Sequence, residues 1–311
     1  MMISMGRMSA ILALGCLAFL VLFATPARAQ HSDWLLGTDG LLGGQQAPRG
    51  IYYSNIWSYY HASGNDFAET GPLKCGPRDR VCLGLNLGGN GSLEPILSLN
   101  RGSFALSSIQ NSGQATKGSI CNMYVEPINL GWHLRQLDAI VSSGFMAPAG
   151  PYNSTARLNM GYGHWTGVFG LGGVVYADAE RTWSLSIYAH YLLYGSQMGR
   201  NYTLGDEVPF EWGTGKTFNL NNDIFKQVTL GAVGYAQWQV TNNQIDLIPT
   251  TKIGASALNA VEHASARIYS AGPAINLLTK YGLFSLRYYE EFGANATPSG
   301  RQLMFSVTIG K

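Results

Sequence analysis

The feature that most constrains the fold is a two-residue alternation sustained over long segments. Near the end of the chain Leu303, Phe305, Val307 and Ile309 alternate with Gln302, Ser306 and Thr308. Further upstream Trp183, Leu185, Ile187, Ala189, Tyr191 and Leu193 alternate with Ser184, Ser186 and His190. Val208, Phe210 and Trp212 oppose Glu207 and Glu211, and Val228, Leu230 and Ala232 oppose Gln227, Thr229 and Gly231. A period of two is that of extended strands with one apolar and one polar face. It fixes two faces without saying which of them meets water. A helical reading fails in the stretch from Cys121 to Tyr152, where Pro127 and Gly131 would interrupt a helix.

The alternating segments come in pairs. A short turn joins the members of each pair, and a long polar connection follows. Strands are expected at 50–62, 81–87, 92–104, 123–132, 139–147, 164–176, 183–194, 206–218, 224–239, 267–278, 282–292 and 301–310. Gly88-Gly89-Asn90-Gly91 is read as a hairpin turn, because Asn-Gly suits the type I′ geometry. Ser107 to Lys117 is read as a polar loop. Short turns near residues 89, 136, 179, 221 and 280 fall between long loops near 70, 110, 156, 200, 250 and 296. Bacterial outer-membrane barrels have this parity, with short periplasmic turns and long external loops. The expected fold is therefore all-β, a transmembrane antiparallel up-and-down barrel of about 12 strands. A soluble β-sandwich is the alternative.

Composition favours the barrel. Charged residues make up 12% of the chain, about half the share usual in soluble domains. Aromatic residues also make up 12%, and there are 39 glycines. Trp57, Trp132, Trp165, Trp183, Trp212 and Trp238 are placed near strand ends, as in interfacial girdles. Residues 1–29 read as a removable signal peptide: Arg7, the apolar run from Ile11 to Phe23, then Ala27-Arg28-Ala29. A lipoprotein reading at Cys16 is the alternative. Without Arg7 and Arg28 the 20 basic residues fall to 18, equal to the 18 acidic ones. No basic run supports nucleic-acid binding. Residues 30–49 form an extension, periplasmic or tucked into the lumen, and 50–311 form the barrel.

Cys75 and Cys82 flank six residues and are expected to pair as a local disulfide in an oxidising compartment. Cys121 is left over. No Cys-x-x-Cys or paired His suggests a metal, and no cofactor is expected.

Several short stretches resemble a known family. They are Leu130-Gly131-Trp132, the run Met146-Ala147-Pro148-Ala149-Gly150-Pro151-Tyr152, and Gly161-Tyr162-Gly163-His164-Trp165. Asn201-Tyr202-Thr203-Leu204-Gly205-Asp206-Glu207 and Gly231 to Gln237 follow in order. Together, over about 51–311, they resemble the meta-pathway phenol-degradation (SphA-like) family of outer-membrane transporter barrels. The chain departs from the family in lacking an acidic residue soon after Gln237, and it ends Ile309-Gly310-Lys311 rather than on an aromatic. The resemblance implies a barrel in the bacterial outer membrane for uptake of hydrophobic or aromatic compounds.

Ionisable residues at membrane depth should face the lumen. The lumen-lining candidates are Glu126, His190, Glu207, Glu211, Gln237, Arg287 and Glu291. They either brace the interior or select solutes. A hydrolase needs a nucleophile beside an oriented base. His190 with Ser184 and Ser186 on one face is the nearest approach, and there is no Gly-x-Ser-x-Gly elbow. A phosphate-binding loop is also missing, so any transport is passive. The expectation is a monomeric channel, not an enzyme, surrounded by outer-membrane lipid and passing small hydrophobic or aromatic solutes. A barrel enzyme acting on lipid and an adhesive surface barrel are the alternatives. Twelve strands lie between the filled interior of eight and the water channel of sixteen, so a narrow or partly plugged pore is expected.

Overall fold

The computed structural model describes residues 33–47, 50–62, 78–92, 97–106, 109–112, 115–118, 122–154, 161–199, 202–220, 222–245, 266–297 and 299–310. In chain order the strands are β1 (Gly50–Ala62), β2 (Arg78–Ser92), β3 (Leu97–Leu106), β4 (Ile109–Ser112) and β5 (Ala115–Gly118). Then come β6 (Met123–His133), β7 (Leu137–Ala147), β8 (Thr166–Tyr176), β9 (Trp183–Tyr194), β10 (Tyr202–Thr203) and β11 (Glu207–Asn219). The last are β12 (Phe225–Gln239), β13 (Gln244–Ile245), β14 (Arg267–Thr279), β15 (Gly282–Asn295) and β16 (Gly300–Gly310).

Each long strand pairs antiparallel with its neighbour, and β1 pairs both with β2 and with β16. The sheet therefore closes. Among the described residues twelve strands form the wall: β1, β2, β3, β6, β7, β8, β9, β11, β12, β14, β15 and β16. Closure removes the unpaired edge that an open sheet would expose to lipid.

The direction of the alternation is now fixed. On β9 Trp183 is 52% exposed and the next residue, Ser184, only 5%. Leu185, Ile187, Tyr191 and Leu193 share the exposed face, and Ser186, Tyr188, His190, Leu192 and Tyr194 are buried. On β8 the exposed residues are Phe169, Leu171 and Val175. The outer surface is apolar and the inner one largely polar, the reverse of a soluble protein and the arrangement of a membrane barrel.

Two local expectations are corrected. Gly88 to Gly91 do not turn. They lie inside β2, where Gly89 and Asn90 pair with Ile51 and Gly50 of β1. The whole length of β1 offers a ladder, and ladder pairing outweighs the local turn preference of Asn-Gly. The pairing of β2 with β3 runs on to Ser92 and Ser98. The polar loop at 107–117 contains a hairpin, β4 and β5, and β4 pairs with Arg78 to Val81 of β2. That hairpin prolongs the sheet beyond the barrel rim on the side of the long connections. On the same side β10 and β13 join the connections before β11 and after β12. Cys75, Cys121 and residues 1–29, the expected signal peptide, lie outside the described residues; Cys82 lies on β2.

The tryptophans divide. Trp165 and Trp238 lie towards one end of the barrel and Trp132 and Trp183 towards the other, whereas Trp57 and Trp212 fall in mid-strand. Trp212 sits opposite Gly234, and its ring fills the space where a Cβ would stand, 2.5 Å from that point. A glycine in a strand is thus covered by its cross-strand aromatic neighbour.

Candidate functional site

The lumen holds a segment of the chain itself. Residues 33–47 run inside the wall from one end to the other, against side chains from β6, β7, β8, β9, β11 and β15. Strand direction gives the orientation. Asp33 meets the start of β8, which follows a long connection, so this is the outer end. Gln45 meets Asp138, next to the short turn between β6 and β7, at the inner end.

At the outer end Asp33 Oδ2 accepts hydrogen bonds from His164 Nε2 at 2.9 Å and Thr166 Oγ1 at 2.6 Å. Both Asp33 and His164 are almost wholly buried. One residue on, the Trp34 ring packs at 4.0 Å and 33° against the imidazole of His190.

The middle is the tightest tier. Glu211 on β11 accepts two backbone hydrogen bonds, from Gly37 N and Asp39 N, each at 2.9 Å. Arg287 on β15 donates from Nη1 to the carbonyls of Gly37 at 2.7 Å and Thr38 at 2.5 Å, and from Nη2 to Ser306 Oγ at 2.8 Å. Tyr289 donates to the same Gly37 carbonyl at 3.0 Å. An acid and a base on the wall thus grip the donors and acceptors of one backbone turn. Charge-assisted bonds of this kind are the strong ones. The turn needs a glycine: Gly37 has φ of +88°, and a Cβ there would come 2.7 Å from Tyr289 Cε2.

Below this the chain makes a short 3₁₀ turn, Gly40–Leu42, and Leu41 is buried against the wall. The wall is bare where the turn lies. A Cβ on Gly213 would stand 2.7 Å from Gly40 O and 2.8 Å from Leu41 Cα, and a Cβ on Gly44 of the thread would collide with the backbone of Gly173. Glycine in these wall strands lets two backbones approach closely. Ser186 Oγ donates to Leu41 O at 2.9 Å.

At the inner end Gln45 Nε2 donates to Asp138 Oδ2 at 2.9 Å. Asp138 also takes the Tyr176 hydroxyl at 2.9 Å, His133 Nδ1 at 3.1 Å and the Arg181 guanidinium. Gln46 Nε2 reaches the carbonyl and the side-chain oxygen of Asn129, both at 2.9 Å.

All seven residues singled out from the sequence as lumen-facing are buried. Glu211 and Arg287 come together on Gly37. His190 meets Trp34. Glu126 takes hydrogen bonds from Tyr124 and Asn129, each at 2.7 Å. Glu207 and Gln237 bond to each other, and Tyr194 donates to Glu207 at 2.7 Å. Glu291 holds Tyr235 at 2.5 Å and Gly300 N at 2.7 Å. His190 is not joined to a nucleophile: Ser184 donates to Gly215 O, and Ser186 to the carbonyls of Leu41 and Gly213.

Sequence reasoning missed Asp138, Asn129, Gln302 and the partners supplied by residues 33–47. Asp138 shares the inward phase of Ile140 and Ser142 on β7, a signal that was there to read. Outside the membrane, Asp178 closes the turn between β8 and β9. The Thr182 hydroxyl and the backbone N–H groups of Trp183 and Thr182 hold its carboxyl down at about 2.

The architecture has solved relatives. The COG4313 outer membrane channel from Pseudomonas putida F1 superposes with a TM-score of 0.64 at 13% identity, over 90% of this chain and 100% of the other. The toluene transporter TodX of P. putida is similar only in outline, with a TM-score of 0.35 at 10% identity over 85% of this chain and 90% of the other. No curated protein matches the sequence. The family model described as "Putative MetA-pathway of phenol degradation" matches residues 69–307, so the chain belongs to that family.

Proposed function

We propose that this chain is a monomeric outer-membrane channel for the passive uptake of small hydrophobic or aromatic solutes. The observation that carries the reading is the occupied lumen. A barrel threaded from end to end by its own chain leaves little room for a wide aqueous pore, and it offers aromatic side chains beside the thread. The family description links the chain to phenol degradation, and the relative that superposes over its whole length is named an outer membrane channel. Glu211, Asp138 and Arg287 are occupied with holding the thread, which supports a channel rather than a hydrolase.

The test is current through the refolded mature chain in a planar bilayer, with a water-soluble aromatic such as 4-fluorophenol titrated in. Small steps that the phenol blocks with saturation support the reading. Folded barrels whose current is indifferent to the phenol, or that conduct like wide porins, refute it.

A further inference from the structure

Trp34 is the one large aromatic of residues 33–47, and it is 8% exposed. Its ring packs at 4.0 Å and 33° on His190 and meets Tyr124 edge-on at 5.5 Å and 85°. Tyr188 packs on the same imidazole at 4.1 Å and 50°. Tyr124, Tyr188 and His190 all belong to wall strands, β6 and β9. The slot is part of the barrel, and its occupant is part of the thread.

The chemistry of the occupant is informative. An indole is a flat aromatic body with a single hydrogen-bond donor. A phenol is the same thing in smaller form. The slot also has a capacity that the indole leaves unused: His190 is 2% exposed, and among the described residues neither of its ring nitrogens has a hydrogen-bond partner. A neutral imidazole carries one donor and one acceptor, and leaving both unmade while buried costs free energy. A hydroxyl reaching that edge would recover part of the cost, which the carbon skeleton of an indole cannot do.

We propose that Trp34 is an internal stand-in for the solute, and that small aromatics bearing a hydroxyl compete with it for the slot formed by Tyr124, Tyr188 and His190. The proposal rests on the uptake reading above and adds a place and a mode of action. Trp34 lies between the Asp33 clasp and the Gly37 latch, so a solute that takes its place must disturb one or both. Binding and loosening of the thread are then one equilibrium, and each favours the other.

The experiment measures saturable binding of 4-fluorophenol and of fluorobenzene to the full mature chain in amphipol. Trp34→Ala should bind 4-fluorophenol at least tenfold more tightly than wild type, because the competitor has gone. Adding His190→Phe should remove most of the preference for the phenol over fluorobenzene. An unchanged or weaker affinity in Trp34→Ala overturns the proposal. Because that variant could perturb assembly, a second measurement uses unmutated chain labelled with 5-fluorotryptophan, its Trp34 line assigned by loss in Trp34→Phe. Saturating phenol should shift that line, and a line that stays fixed also overturns the proposal. Failure here is separable from failure of the channel reading. A barrel blocked by phenol that gains nothing from Trp34→Ala keeps the channel and loses the slot. A barrel that binds phenol in competition with Trp34 but passes no phenol-sensitive current keeps the slot and loses the channel.

Discussion

Replacing Glu211 by Gln tests the latch at the middle of the lumen. The carboxylate accepts from two backbone N–H groups at 2.9 Å each. An amide keeps one oxygen for one of them and turns an NH₂ group towards the other. One charge-assisted bond, worth about 2 kcal/mol, is lost, and the surviving bond falls to a neutral one, a further loss of about 1 kcal/mol. The Arg287 bonds to the Gly37 and Thr38 carbonyls are untouched. A loss of about 3 kcal/mol from the seated state alone raises the ratio of unseated to seated thread roughly a hundredfold. The assay is open probability in single-channel records of wild type and Glu211→Gln, with folding checked by heat-modifiable migration on gels. Glu290→Gln is the control, since Glu290 and Arg301 form an exposed pair outside the lumen and such pairs contribute little. If Glu211→Gln gates like wild type while the barrel remains folded, the grip on Gly37 does not hold the thread and the reasoning fails.

Gly213→Val should expel the 3₁₀ turn of the thread, because a side chain there meets the backbone of Gly40 and Leu41; conductance should rise while the thermal stability of the wall changes little. Among the described residues the inner surface and thread carry Asp33, Asp39, Glu126, Asp138, Glu207, Glu211 and Glu291 against Arg287 at mid-lumen and Arg181 beside Asp138. Residual current should therefore favour cations, and a reversal potential of chloride-selective sign under a KCl gradient would contradict this. Ile187→Lys, on the exposed face of β9, should cost about 2–4 kcal/mol in folding titrations into lipid, the usual cost of a lysine at mid-membrane. The Asp178 carboxyl is held down at about 2, below its value of about 3.9 in an unfolded chain. Its contribution is therefore present above pH ~4 and is lost as the pH falls through ~2. Asp178→Asn should abolish that acid-side change in protection of the Thr182 and Trp183 amides in hydrogen exchange.

How much was legible follows from what each residue senses. Wall residues sense lipid or lumen, so the alternation on β9 and β16 could be read from composition one residue at a time. Strand ends were recovered closely: 183–194 and 50–62 agree with β9 and β1, and 12 wall strands close as expected. Gly88 to Gly91 misled because a turn signal is local, whereas the ladder with β1 is a property of two distant segments. The position of residues 33–47 was illegible for the same reason in stronger form. They show no periodicity, and their partners lie far along the chain: Gly37 and Glu211 are 174 residues apart. The charged lumen residues were visible as ionisable groups on a strand's polar face. Their role as a grip on backbone was not, because the chain they hold offers N–H and C=O groups that every residue possesses.

The thread has a topological consequence. Twelve wall strands would leave both ends of a chain on the same side of the membrane. Here the polypeptide passes through the lumen once before its first wall strand, from Asp33 at the outer end to Gln45 at the inner. That makes an odd number of crossings. Asp33 and Gly310, the last residue of β16, therefore stand at opposite ends of the barrel. An epitope placed ahead of Asp33 would be reached by antibody on intact cells, and one placed behind Gly310 only after the outer membrane is breached.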